Sequence, residues 1–489
     1  MIELSENISN YIQKHFGEDY LRQYKSYYLS DYKPYLRFAS CTKSNELISR
    51  LKSYGITLDK VEGVPLAYQV LEGSSAAGKT LEFILGKYYI QSLSSMIPAL
   101  VLNPSSTDAV LDLCAAPGSK TTQLAEMMNN SGTLIANEIS TDRLKSLVFN
   151  VDKMNLVNTG ILHGRGELLS TVYQNYFDKI LVDVPCSALG ITQKRGEVSN
   201  WWNENKLTLF TETQMRLLVA AIKACKPGGE IVYSTCTLSV EENEMVLNRV
   251  LQKYPVKLVE IGLPVKSCPA LSSVNNVKLH NSISLAHRIV PWEINSEGFF
   301  AAKIIKTEET ERIKERNIFT NETMLVSANS MKIKKQLEIL SEYFGIEWKI
   351  LENYNYLLRS KDIYFADAAW HSHNLDSFVR IGSKLGSIEK RGYIQLHTLA
   401  AQIFADKIKK NVVELIEKKE IETYLRGGTI KRAFGITGQI IVKYNGDTIG
   451  TAVVSKEGLK SQFPREYRTQ EIIVNPIFTN SQYAENCFK

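Results

Sequence analysis

The sequence predicts an α/β protein built around one open, doubly wound parallel sheet, with smaller modules on both sides of it. Three observations predict this. From Ala109 onward, apolar runs of strand length alternate with helical stretches, the pattern of a parallel sheet with crossover helices. Lys226-Pro227-Gly228-Gly229 separates one such helical stretch from the next apolar run, a strong helix-to-strand boundary. Small, acidic and thiol-bearing residues follow successive apolar runs, as expected where the carboxyl ends of strands face a ligand.

Residues 1 to 72 mix a helical stretch, Asn45 to Tyr54, with alternating runs such as Val64 to Leu71, the texture of a small α/β module. Its aromatic and basic clusters, Tyr24 to Tyr28 and Tyr32 to Arg37, suit base stacking or the packing of a small core, and both readings stand. The main sheet starts with Val110–Cys114, followed by a helix over Ser119–Met128, a strand over Thr133–Ile139 and a helix over Thr141–Asn155 with Ser140 or Thr141 as N-cap. Thr159–Gly164, Lys179–Val184 and Glu230–Cys236 supply further strands, and a helix spans Glu212–Cys225. Gly298–Ile304 closes a domain of residues 73–306. The charged run Lys306 to Asn317 is a linker or a solvated helix. Residues 318–388 then form a small mixed module and residues 391–480 a β-rich one, in which two alternating runs flank Asn445-Gly446-Asp447, a hairpin signal.

A length of 489 residues suits about three domains. A composition of 44% hydrophobic and 22% charged residues excludes disordered and low-complexity classes. The net charge of +6 permits a nucleic-acid partner without demanding one, but residues 391–489 hold fifteen Lys and Arg against ten Asp and Glu, so nearly all the surplus sits there. Seven cysteines, none spaced CxxC, suggest neither a disulfide framework nor a metal site. With an acidic, polar N-terminus and no long apolar run, the expectation is a cytoplasmic monomer with no membrane association.

The strand ends carry the chemistry. After the first strand comes Cys114-Ala115-Ala116-Pro117-Gly118-Ser119-Lys120, a tight turn of small residues opening a helix, which lets a ligand approach free backbone amides. After the second stands Glu138, placed to bond a nucleotide ribose or, as a lone acid, to cap a helix. Asp183-Val184-Pro185-Cys186-Ser187 follows the fourth strand and Ser234-Thr235-Cys236-Thr237 the fifth. Cys41, Cys225, Cys268 and Cys487 read as small buried hydrophobes. Cys186 and Cys236 instead lie beside a nucleotide-type pocket, where a thiolate acts as nucleophile. Cys114 sits in the turn, its side chain packing and its backbone open to ligand.

These segments, LDLCAAPGSKT, ILVDVPCSALG and YSTCTLSVEENE, resemble the motifs of the NOL1/NOP2/Sun family of RNA cytosine-5 methyltransferases, and Tyr88–Pro104 with Glu297–Ile304 resemble its flanking segments. The resemblance is close over residues 60–305. It implies a Rossmann-like class I methyltransferase domain, S-adenosylmethionine as cofactor and RNA as substrate. Carbon 5 of cytosine is a poor nucleophile, so a thiolate must first add to carbon 6. By this resemblance Cys236 is that nucleophile, Asp183 bonds the cytosine N3 edge, Cys186 assists release of the product, and Lys120, reading as a surface-capable lysine, stands near the reacting groups. The cofactor would lie over Cys114 to Lys120, with Glu138 on its ribose and Asp183 near its methionyl end. His163 stands where the family has an acid, and is left as the adenine contact. Val184 to Ala188 replaces the usual Ala-Pro-Cys-Ser-Gly. The Thr-Cys pair, beyond the Pro-Cys shared with DNA enzymes, points to RNA.

Residues 391–489 resemble the C-terminal region of bacterial ribosomal-RNA members and imply a PUA-like β-barrel, with Arg426, Lys431, Arg432, Lys460 and Arg465 as phosphate contacts. The expected product is 5-methylcytosine in small-subunit rRNA, with tRNA as runner-up substrate. Two rivals remain. Gly73 to Thr80 fits the P-loop pattern of an ATPase, although the stretch after it has Gly86 in its middle instead of a capped helix. An inactive RNA-binding assembly factor is the other, and the intact Asp183, Cys186 and Cys236 set speaks against it.

Overall fold

The computed structural model describes residues 4–311, 323–468 and 471–474. The charged run beyond residue 311, the end of the β-rich module beyond residue 474 and Cys487 lie outside the described residues.

Two amphipathic helices, α1 (Glu6–Phe16) and α2 (Glu18–Leu29), open the chain, and Ser5 caps the first by accepting from the Ile8 amide. Their apolar residues Ile8, Tyr11, Ile12, Leu21 and Tyr24 pack on Ala188, Leu189, Val198, Trp202 and Leu238, which belong to loops of the large domain. The small module is a four-stranded antiparallel sheet of β1 (Tyr35–Phe38), β2 (Thr57–Lys60), β3 (Ala67–Glu72) and β4 (Tyr88–Ile90), in the order β2-β3-β1-β4. Helix α3 (Ser44–Ser53) packs Leu47 and Leu51 against Leu36, Phe38, Tyr68 and Tyr88. The packing therefore cuts across the boundary expected at residue 72. Tyr24, Tyr27 and Tyr35 are buried, with the Tyr24 and Tyr27 hydroxyls donating to the Leu189 and Ser296 carbonyls, so these aromatics are core and not stacking platforms.

The large sheet has a parallel centre of β5 (Ala109–Asp112), β6 (Thr133–Glu138), β7 (Thr159–His163), β8 (Phe177–Asp183) and β9 (Cys225–Thr235), in the order β7-β6-β5-β8-β9. The chain winds from β5 outward through β6 and β7, then returns to β8 and β9. This puts the switch point between β5 and β8, where a ligand is expected at the carboxyl ends. Helices Ser119–Met127, Thr141–Lys153 and Leu207–Ala224 connect the strands, and the Ser140 hydroxyl caps the second. The last helix starts before the predicted Glu212. Lys226–Gly229 does not stop the chain between elements: β9 already begins at Cys225, and the pairing slips between Phe177 and Lys179, whose partners are Cys225 and Glu230. Phe299–Lys306 adds antiparallel to β9.

Beyond residue 322 a five-stranded antiparallel sheet runs from Leu325–Ser327 to Ile394–Leu396, past the boundary expected at residue 388. Its neighbour Phe378–Ile381 leaves the module and pairs with β7 of the large sheet. Gly160 in β7 makes this possible, since a Cβ there would lie 2.4 Å from the Trp370 ring and 2.7 Å from Phe378. The last module is another five-stranded sheet, in which Gly438–Tyr444 and Asp447–Ser455 form the predicted hairpin. Asn445 and Gly446 turn it at φ of 49° and 77°, the two positive values that this tight turn requires. No helix among the described residues is long and apolar enough to cross a membrane.

Candidate active site

The turn after β5 is braced from beneath. Asp112, fully buried at the strand end, accepts from the Thr121 hydroxyl at 2.7 Å through one oxygen, while its Oδ1 has no partner. Burial pushes its carboxyl up to about 7. Ala115 donates to the Asn137 carbonyl, and Ala116 donates to Glu138 Oε2 at 3.3 Å. Gly118, at φ 108°, starts the following helix close against Leu147. Pro117 and Ser119 complete this turn, and the Pro117 carbonyl accepts from Asn150. Glu138 is buried, and its other oxygen accepts from the Ser140 amide at 2.8 Å, so the acid both braces the turn and caps the next helix.

A cavity of about 140 Å³ opens here, with Cys114, Asn137, Glu138, Ile139, Glu167 and Pro185 in its wall. Asn137 gives its amide hydrogens to the Leu113 and Gly164 carbonyls, which leaves its buried Oδ1 as an acceptor without a donor. An orphaned amide acceptor, a buried carboxylate and a narrow cleft suit a nucleoside-bearing cofactor. His163 is outside this wall: it is exposed, with Nε2 3.0 Å from the Ile139 carbonyl. The residues missed from sequence are Asn137 and Glu167. A polar residue inside an apolar strand, and an acid in the loop that lacks the family's usual one, were the signals available for them.

A second group of polar and thiol residues lies along the carboxyl ends of β8 and β9. The Cys186 and Cys236 sulfurs are 3.1 Å apart. The contact with Cys236, together with burial, holds the Cys186 thiol well above its ordinary range. Asp183 accepts from the Lys120 ammonium at 2.7 Å and from the Ser234 hydroxyl at 2.8 Å. Lys120 also donates to Ser95 at 2.9 Å and lies over the Phe299 ring. It is only 7% exposed, which corrects the reading of a surface-capable lysine. Burial raises the Cys114 thiol, which fits a packing role. Among the remaining cysteines, Cys225 is buried as expected and Cys268 partly so, but Cys41 is exposed, contrary to expectation.

The remaining expectations fall outside this edge. Lys79 pairs with Glu471 at 2.7 Å, and Thr80 caps a helix of only four residues, Leu81–Ile84, so the P-loop pattern forms no phosphate cradle. Arg426, Lys431, Arg432, Lys460 and Arg465 are all exposed. Arg432 is engaged by Glu420 at 2.5 Å and covers the Phe434 ring.

The ribosomal RNA small subunit methyltransferase F of Shewanella woodyi is 32% identical to this chain over 488 residues, covering 97% of the chain and 98% of that protein. The chain belongs to the RsmB/F family of 16S rRNA methyltransferases. The RsmB/F family model matches residues 99–305, and the corresponding Vibrio campbellii protein is 33% identical over 80% of this chain and 81% of its own length. Among solved structures, a methyltransferase homolog protein from Pyrococcus horikoshii is 30% identical, with a TM-score of 0.54 over 61% of this chain and 93% of that one. NSun6 from Pyrococcus horikoshii, solved with SFG, shares the fold at a TM-score of 0.56 and 22% identity, covering 63% of this chain and all of that one. As an RsmB/F member the chain is an S-adenosylmethionine-dependent RNA methyltransferase with a Rossmann-like catalytic domain.

Proposed function

We propose that this enzyme forms 5-methylcytosine in small-subunit ribosomal RNA through a covalent adduct of Cys236. The observation that carries the reading is the pair of thiols 3.1 Å apart, beside an Asp183–Lys120 pair at the same sheet edge. When bound, S-adenosylmethionine supplies an electrophilic methyl group. The turn from Cys114 to Lys120, with Asn137 and Glu138, would hold it. The Cys236 thiolate adds to cytosine carbon 6 and makes carbon 5 enamine-like, able to take the methyl group. Asp183, held by the Lys120 ammonium, bonds the N3 edge of the ring as charge develops on it. After transfer, Cys186 assists loss of the carbon 5 proton, and the bond from Cys236 to carbon 6 breaks to release the product.

The RNA would be held by the terminal modules. Exposed Arg426, Lys431, Lys460 and Arg465, for which no ion pair is present among the described residues, support phosphate contact by a PUA-like domain over residues 391–480. Residues 73–306 carry the chemistry, with the small sheet before them and the 318–388 module after. Bisulfite sequencing of total RNA with and without the gene tests this reading. One small-subunit cytosine should lose protection in the deletion. Loss confined to tRNA would move the substrate, and no change at any cytosine would overturn the reaction.

A further inference from the structure

Behind the two thiols sits a carboxylate that pairs with no cation among the described residues. Glu242 is fully buried and accepts four hydrogen bonds: from the Ser187 amide at 2.9 Å, the Ser187 hydroxyl at 2.5 Å, Gln214 Nε2 at 2.8 Å and the Ser239 hydroxyl at 2.6 Å. Four donors fill the acceptor sites of a carboxylate. Its neighbour Glu244, equally buried, is neutralised by Arg288, whereas the groups around Glu242 are neutral donors. A buried acid without a counter-ion is expensive to keep, so its place in the fold calls for a task.

The hydrogen bonds show which task. Ser187 follows Cys186 in the chain, and its hydroxyl meets that of Thr237, which follows Cys236, at 2.9 Å. Trp202 donates to the same Ser187 oxygen at 3.1 Å. Gln214, besides bonding Glu242, donates to the Pro185 carbonyl at 3.0 Å, so the Cys186 loop is gripped on both sides of the thiol. On the Cys236 side, the Tyr233 hydroxyl donates to the Glu242 carbonyl at 2.6 Å, and Asn243 ties Thr235 to the Thr237 carbonyl. The Glu242 carboxylate therefore holds the Cys186 loop through Ser187 and meets the chain beyond Cys236 through Ser239.

We infer that Glu242 is a positioning residue that sets the Cys186 loop, through Ser187, in register with Cys236. It does not touch substrate, and its role rests on the cysteine assignment proposed above. The Cys186 loop depends on it most directly, so losing it impairs the release stage, where Cys186 acts.

The full-length Glu242→Gln variant keeps the size but replaces the acceptor facing Ser187 and Ser239 with an amide. On small ribosomal subunits from cells lacking the gene, kcat should fall by roughly 10- to 100-fold, the effect of misplacing a reacting group by about an ångström. The KM for the subunit and the affinity for S-adenosylmethionine should stay at wild-type values, and a covalent RNA–protein adduct should persist on denaturing gels. Ser187→Ala should give a weaker version of the same defect, and the double variant should be no worse than Glu242→Gln alone. A folded Glu242→Gln enzyme with wild-type kcat, or losses that multiply in the double variant, would overturn the proposal. Cys236→Ala separates the two levels: if it still turns over, the cysteine assignment itself fails, and this inference falls with it.

Discussion

Cys186 and Cys236 are alike in chemistry and differ in surroundings. Cys186 is followed by a serine locked onto Glu242, whereas Cys236 follows strand β9, whose Ser234 bonds Asp183. Division of labour follows from this. Cys186→Ala should accumulate a covalent RNA adduct through Cys236, while Cys236→Ala should form none, as read from labelled RNA retained by denatured protein. Adducts in the second variant would reverse the roles. Lys120→Met removes the cation paired with Asp183 while keeping the buried stem, so kcat/KM should fall by roughly 100-fold or more, with the fold intact by circular dichroism. At this scale the sequence was informative because the proposed catalytic residues lie in three unbroken motifs. Asn137 and Glu167 escaped it because their position in the cavity wall depends on the way β6 and the loop after β7 come together.

Elements show the same contrast. Strands β5 to β9 were legible because apolar runs buried on both faces need no information from distant parts of the chain. What sequence could not show was the partner of each amphipathic face. Helices α1 and α2 read as part of a small module, yet the Tyr11 hydroxyl accepts from the Val240 amide at 2.9 Å and donates to Glu241 at 2.5 Å, fastening α1 to the loop beyond Cys236. Tyr11→Phe should therefore lower stability by about 1–2 kcal/mol in denaturant unfolding and reduce kcat without changing cofactor affinity, since Tyr11 bonds the loop after β9 whereas the cavity wall of Cys114, Asn137 and Glu138 follows β5 and β6. A second joint is the end of helix Thr141–Lys153, where buried Lys153 points into the rings of Phe83, Tyr89 and Phe149. Burial brings this ammonium down to about 7 from 10.5. Between those values the unfolded chain holds a proton that the folded chain has shed, so the stability difference rises with pH, by at most ~1.4 kcal/mol per unit. Melting curves at pH 7 and pH 9 should show this rise in the wild type and lack it in Lys153→Met. Equal pH profiles would remove Lys153 from the account.

For the whole molecule, the arrangement of charge matters more than its sum. A surplus of +6 over 489 residues says little, but fifteen basic against ten acidic residues from 391 onward place most of it on one module. That module also packs against Leu81, Ile84 and Leu85, just beyond the P-loop-like pattern, so it shares a core with the domain of residues 73–306. RNA bound there would be anchored to a module packed against the 73–306 domain. Counterion release makes the idea quantitative: each phosphate contact steepens the dependence of log affinity on log salt by about 0.7 for single strands and 0.9 for duplex. Replacing Arg426, Lys431, Lys460 and Arg465 together by alanine should flatten the slope by about 3 and weaken binding to 16S rRNA fragments, with turnover at saturating RNA much less affected. Arg432→Ala should change the slope less than any of these four alone, because Glu420 already holds its guanidinium. A slope unchanged in the quadruple variant would place the RNA elsewhere on the protein, and would leave the basic surplus of this module as solvation alone.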